Sequence, residues 1–159
     1  CLYHAFGEAL VARGIPSIRL SYRKPNDLDS CCVDTAAAVQ LAVGSGADNV
    51  VIMGHSFGGA VAIRVAVGLA EMVSGVVTFA TQSAGCEVAG GLQGRPLLMF
   101  HGDKDSILPM DASEVVRAIA VSCDLHIMPG DDHLLAKSHD VMFETTMKWL
   151  DEVLIGATP

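Results

Sequence analysis

The stretch Asn49-Val50-Val51-Ile52-Met53-Gly54-His55-Ser56-Phe57-Gly58-Gly59 decides the fold. Its first half, Asn49 to Met53, is a continuous, mostly β-branched apolar run, the pattern of a strand buried on both faces of a parallel sheet, and such a strand needs helices above and below it. Its second half sets a serine between glycines two residues to either side, where the strand gives way to an apolar helix from Phe57 to Met72. This is a G-x-S-x-G turn. Gly54 and Gly58 leave room for a sharp bend, and Ser56 takes a strained turn conformation. Its hydroxyl then stands at a helix N-terminus, whose free N–H groups and positive dipole end favour a developing oxyanion. The bland alternative is a glycine-rich strand–helix turn with an incidental serine. A dinucleotide-binding G-x-G-x-x-G is excluded, because His55-Ser56 replace the middle glycine pattern.

Outward from this turn the chain alternates strand and helix. Leu2 to Arg13 reads as an amphipathic helix closed by Gly14, and Pro16 to Tyr22 alternates apolar and polar residues as a short strand. Leu28, Cys32, Ala36, Val39 and Val43 fall at helical spacing behind Asn26 or Asp27 as N-cap, with Gly44-Ser45-Gly46 as terminator. Beyond the helix at 57–72, strands are expected at 73–80, 95–100 and 123–128, and helices at 111–122 and 138–154. The glycine-rich segment 81–94 and the polar segments 101–109 and 129–137 are expected to be loops. Five strands, most returning through a helix, make an α/β fold with a parallel sheet in one domain, residues 1–159.

The 159 residues are one domain's worth, and with 51% apolar and 18% charged residues a large share must be buried, which excludes disorder and coiled coil. Eighteen acidic against ten basic residues give a net charge of −8, which repels nucleic acid and anionic lipid surfaces. His55, Ser56, Arg64 and Glu71 interrupt the apolar stretch from Val50 to Ala80 before it reaches the length of a membrane span. The five cysteines, Cys1, Cys31, Cys32, Cys86 and Cys123, have no C-x-x-C spacing and read as reduced, cytoplasm-type thiols, with at least one of the adjacent Cys31 and Cys32 packed as a small apolar side chain. No metal site is expected.

A serine nucleophile needs a base, and the base an orienting acid. Asp105 lies in His101-Gly102-Asp103-Lys104-Asp105 with Pro109 behind it, and His133 in Gly130-Asp131-Asp132-His133, each after an expected strand. Loops that follow parallel strands converge on one edge of the sheet, so Ser56, Asp105 and His133 come together there. Asp105 has a rival in Asp103, and the spacing to Pro109 favours Asp105. His133 has a rival in His139 near the start of the last helix. His4, His55, His101 and His126 read as structural or solvent-facing, Asp131 and Asp132 as carboxylates that keep their loop soluble or, beside His133, raise its pKa, and Arg64 as paired or snorkelling at a helix edge.

On these three segments the sequence resembles the α/β-hydrolase superfamily over nearly its whole length, and within it the small, lidless dienelactone-hydrolase-like and esterase-like proteins. The resemblance implies Ser56 as nucleophile, His133 as general base and acid, Asp105 as the residue holding the histidine tautomer, and the Phe57 N–H as one oxyanion donor. His55 and Gly59 complete the elbow, and no cofactor is implied. Dienelactone hydrolases proper carry cysteine at the nucleophile position, so Ser56 points to esterase chemistry on a small acyl substrate.

In this superfamily earlier strands precede the helix with which the sequence opens, and a loop there, often His-Gly, supplies a second oxyanion N–H. The expectation is therefore the C-terminal portion of a longer hydrolase; a minimal variant would instead pair strand 16–22 directly with 49–53. The expected activity is cleavage of carboxylic esters or related acyl bonds. The competing reading is a weakly active or non-catalytic ligand-binding protein of the same fold, since losing one oxyanion donor costs roughly 10²–10³ in rate. Oligomeric state is not legible.

Overall fold

The computed structural model describes residues 2–155. In chain order its elements are α1 (Leu2–Ala12), α2 (Leu28–Gly44), β1 (Val51–His55), α3 (Phe57–Gly68), β2 (Gly75–Phe79), a 3-10 turn (Ala89–Leu92), β3 (Leu97–Gly102), α4 (Asp111–Ile119), β4 (Cys123–Met128), α5 (His139–Leu150) and a π-type turn (Asp151–Ile155). The four strands are all parallel, in the order β1-β2-β3-β4, with Ile52 opposite Val76, Val77 opposite Leu98 and Phe100 opposite His126.

Alternation along the central strands builds two cores. Val76, Leu97 and Met99 point to the face covered by α2, α3 and Val116 of α4, where Cys31, Val39 and the Ala60–Ala66 run are buried. Val77, Phe79, Leu98 and Phe100 point to the opposite face, against Phe6 and Leu10 of α1 and Met142, Met147 and Leu150 of α5. Phe79 and Phe100 stack there with ring centroids 5.5 Å apart. Every residue of β2 and β3 is buried, as a strand with helices on both faces requires. Arg95 ties the end of α3 to the 3-10 turn: its guanidinium donates to the carbonyls of Ala66, Leu92 (2.9 Å) and Gly91 (3.1 Å).

Three expectations need correction. Residues 16–22 form no strand: Pro16 to Ser21 are exposed and do not pair with β1, because alternation sets which face a strand would bury and not whether the segment lies alongside a sheet edge. The described sheet therefore has four strands, and β1, hydrogen-bonded only to β2, is its half-buried edge, with Ile52 packed on one core and Val51 and Met53 on the other. Of the α2 stripe expected at Leu28, Cys32, Ala36, Val39 and Val43, Val39 is fully buried and the other four are half-buried, while the helix also buries Cys31, Asp34 and Thr35. Asp34 reaches that face because Arg23 clamps it, with Nε 2.6 Å from Oδ1 and the backbone N–H 2.9 Å from Oδ2. Its hydrogen bonds to Arg23 hold the carboxyl below the usual range.

Boundaries move in ways that matter for the site. β1 runs two residues further than expected, to the residue before Ser56, and β3 extends through His101 and Gly102, which were expected in a loop. Asp27 caps α2 by accepting from the Ser30 N–H at 2.9 Å. Among the described residues Cys31, Cys32, Cys86 and Cys123 are free, with Cys31 fully buried; Cys1 lies outside them.

Candidate active site

Ser56 sits at φ 54°, ψ −119°, between the last residue of β1 and the first of α3. That strained conformation is held by its own N–H, which donates to Phe79 O of β2 at 2.8 Å. The space around the turn is made by Gly54 and Gly59. A Cβ on Gly54 would overlap the Gly58 carbonyl, and one on Gly59 would come within 2.5 Å of Thr81 Oγ1. Gly58, expected to supply room, has Tyr22 Oη as its nearest neighbour at 3.8 Å and would tolerate a methyl. Phe57 opens α3, so its N–H belongs to the unpaired first turn of the helix, and its ring stands edge-on to Tyr22.

At the end of β3 the chain turns so that the Asp105 side chain is fully buried. Its Oδ1 accepts from the N–H groups of Ile107 and Leu108, each at 2.8 Å, and its Oδ2 lies 2.7 Å from His133 Nδ1. Burial opposes ionisation, yet these donors together hold the carboxyl below its ordinary value, so Asp105 is a carboxylate at neutral pH. Because a carboxylate only accepts, His133 Nδ1 carries a hydrogen and Nε2 is the free base of the neutral ring. Asp103 does something else: its Oδ1 accepts the Gly130 N–H at 2.6 Å, clasping the acid loop to the histidine loop.

The loop between β4 and α5 is built around Asp131, which is buried. Its Oδ2 accepts from Ser138 N at 2.8 Å, its Oδ1 from Asp132 N at 3.0 Å, and its carbonyl from Lys104 N at 2.9 Å. Gly102 admits this loop, since a Cβ there would overlap the Asp131 carbonyl. Asp131 is thus the keystone of the loop, a role that reading it as a solubilising carboxylate missed.

His55 is likewise part of the site. Its Nε2 donates to the His133 carbonyl at 2.8 Å, and the two rings meet edge-on with centroids 4.9 Å apart. Burial keeps the His55 imidazole below its ordinary pKa, which suits a neutral N–H donor at pH 7. The bond fastens the histidine loop to the strand that ends in Ser56. No hydrogen bond joins Ser56 Oγ to His133 directly among the described residues, and such bonds often tighten only when substrate is present. His101 is buried beside Asp105, with Nε2 3.2 Å from Oδ2. The signal in the sequence was its i, i+4 spacing from Asp105. His139 is not brought in; it faces Asp140 at 3.5 Å. His4 faces Glu8, and His126 faces Asp124 and stacks on Phe100.

Beside the acid loop a cleft of about 410 Å³ is lined by Gln82 and Ala84 of the segment after β2, by Leu108 and Pro109, and by Val115 of α4. Ile107, next to the residues that bind Asp105, and Leu134, next to His133, are both exposed. Among the described residues no group of three or more His, Cys, Asp or Glu side chains is placed to hold a metal ion, and no helix is long and apolar enough to cross a membrane.

The Dienelactone hydrolase family model matches residues 20–147. No curated protein sequence matches the chain. Among solved structures, Est1E from Butyrivibrio proteoclasticus superposes with a TM-score of 0.80 at 18% identity, covering 97% of this chain and 82% of that one. Mouse alpha/beta hydrolase domain-containing protein 10 gives 0.74 at 17% identity, covering 95% and 84%. A CIB-like hydrolase from Thermoplasma acidophilum gives 0.68 at 20% identity and covers 86% of this chain, which spans 65% of that protein, just under two thirds. At these identities the structures share the α/β-hydrolase fold, and the family match carries the rest. The chain belongs to the dienelactone hydrolase family.

Proposed function

We propose that this domain is a serine hydrolase that cleaves carboxylic esters or related acyl bonds through an acyl-enzyme, with Ser56 as nucleophile, His133 as base and acid, and Asp105 as its orienting partner. The observation that carries the reading is the 2.7 Å contact between Asp105 Oδ2 and His133 Nδ1, on a loop that His55 ties to the strand ending in Ser56. As Ser56 Oγ attacks the acyl carbon, its proton passes to His133 Nε2, and the carbonyl oxygen gains negative charge facing the Phe57 N–H. His133 returns the proton to the departing alkoxide, and the ester bond breaks. Water then repeats the sequence on the acyl-enzyme, giving the carboxylic acid and free Ser56. No metal or organic cofactor enters these steps.

The apolar cleft beside the acid loop favours an apolar acyl or aryl group. Est1E has been solved with ferulic acid bound, so an aryl ester belongs among the probes. The net charge of −8 argues against nucleic acid and anionic membranes as partners. The direct test is a fluorophosphonate probe. The protein is expected to label and the Ser56→Ala variant to stay unlabelled; no labelling, or labelling that survives Ser56→Ala, overturns the proposal.

A further inference from the structure

His101 is fully buried at the end of β3, and both of its ring nitrogens are engaged. Nδ1 lies 2.6 Å from Ser113 Oγ of α4, while Nε2 lies 2.9 Å from Leu108 O and 3.2 Å from Asp105 Oδ2. Ser113 is itself buried. A carbonyl and a carboxylate only accept, so Nε2 must carry a hydrogen; in the neutral ring Nδ1 then accepts from the Ser113 hydroxyl. One N–H therefore closes the acid turn from beneath. Leu108 donates its N–H to Asp105 Oδ1 and receives the His101 N–H on its carbonyl. The positive edge of the same ring lies against Oδ2, the oxygen that faces His133.

We propose that His101, held by Ser113, is a positioning residue for Asp105, fixing both the acid turn and the rotation of the carboxylate that orients His133. The inference rests on the roles given above to Asp105 and His133. The charged and titratable groups around this arm are His101 from β3, Asp103, Lys104 and Asp105 from the acid loop, His55 from β1, and Asp131, Asp132 and His133 from the histidine loop. Among the described residues His101 is the side chain that meets Asp105 from the buried end of β3. Without it the Leu108 carbonyl loses a donor, Oδ2 loses a positive neighbour, and the carboxylate is free to rotate away from His133. Misplacement of that kind costs as much as about a hundredfold in rate.

The test compares His101→Leu, His101→Gln and Ser113→Ala by hydrolysis of p-nitrophenyl acetate and, in the Ser56→Ala background, by the low-field proton NMR signal of His133 Nδ1–H. His101→Leu is expected to lower kcat roughly ten- to a hundredfold with KM changed less than about threefold, and to shift or broaden the signal. His101→Gln, which keeps an N–H donor, is expected to recover part of both. A folded His101→Leu with unchanged kcat and unchanged signal overturns the proposal. If His101→Leu does not fold, Ser113→Ala decides: a smaller loss in the same direction supports the proposal, and no change in either readout overturns it. The signal does not depend on turnover. A response to His101 in a protein that fluorophosphonate never labels leaves the positioning role standing while the hydrolase reading fails, and a labelled protein whose signal ignores His101 gives the reverse.

Discussion

Asp105 and His133 are joined by a 2.7 Å contact between Oδ2 and Nδ1, and the other oxygen of that carboxylate is occupied by two backbone N–H groups. Held by these groups and by His101 Nε2, 3.2 Å from Oδ2, the carboxylate has one orientation, and the imidazole one tautomer. Asp105→Asn keeps the shape but can turn an amide N–H toward Nδ1, forcing the hydrogen onto Nε2, where it blocks proton abstraction from Ser56. The expected result is a fall in kcat of about 10⁴ with the circular dichroism spectrum unchanged. A loss smaller than tenfold would show that Asp105 does not set the tautomer.

The three glycines of the elbow should not respond alike. Gly54→Ala drives a methyl into the Gly58 carbonyl, which is backbone and cannot step aside, so loss of soluble folded protein is expected. Gly59→Ala meets Thr81, a side chain, so the Gly59→Ala/Thr81→Ala double variant should be more stable than the sum of the two single effects predicts. Gly58→Ala has open space within a helix and is expected to be neutral or to stabilise by up to about 1 kcal/mol. Urea unfolding of the five variants, Thr81→Ala included, checks the ranking.

The elbow was legible because everything it needs is local: a β-branched run, glycines at fixed offsets and an apolar helix. Asp105 and His133 were legible because parallel topology gathers the loops after the strands at one edge. The functions of His55, His101 and Asp131 were not: His55 is defined by the His133 carbonyl on another loop, Asp131 by backbone N–H groups that converge only once its loop has folded, and the spacing of His101 from Asp105 does not by itself separate a buried imidazole donor from a solvent-facing one. The alternation at 16–22 misled for a related reason, since periodicity describes what a strand would bury and not whether a neighbouring strand lies alongside. The stripe on α2 was read without Asp34 because that residue, polar by type, is buried by a clamp from Arg23, eleven residues away.

Arg95 gives a stability prediction independent of the chemistry. Its guanidinium fills acceptors on Ala66, Gly91 and Leu92; Leu92 O keeps the backbone N–H of residue 95, but Arg95→Met would take the side-chain donor from the Gly91 carbonyl and from that of Ala66, which is fully buried. A loss of about 2–3 kcal/mol is expected in urea unfolding, with fluorophosphonate labelling at Ser56 retained in the folded fraction.

Asp131 should govern part of the acid response. Burial raises its pKa, but its bonds to Ser138, Asp132 and Lys137 outweigh that and hold the carboxyl below its ordinary value. A carboxyl depressed in the folded state contributes stability that is complete above its unfolded pKa of about 3.9 and is lost as pH falls through the lower folded value. Asp131→Asn should therefore lower the urea midpoint at pH 7, and the gap to the unaltered protein should narrow at pH 3. A gap independent of pH would mean that Asp131 acts through shape alone.

The cleft beside the acid loop is where acyl length should be read. One wall follows β2, directly after Thr81, which packs on Gly59 of the elbow; the other follows β3, starting at Leu108, whose N–H binds Asp105. An acyl chain on Ser56 that enters this cleft would run toward Val115, which is half exposed on α4. Each methylene removed from water there is worth about 0.8 kcal/mol, so acetate to butyrate gains at most about fifteenfold in kcat/KM. Val115→Trp should fill the far end, leaving p-nitrophenyl acetate hydrolysis within about twofold while removing most of the butyrate advantage. Equal loss on both esters would mean that the indole disturbs the acid turn, and an unchanged ratio would place the acyl chain outside the cleft.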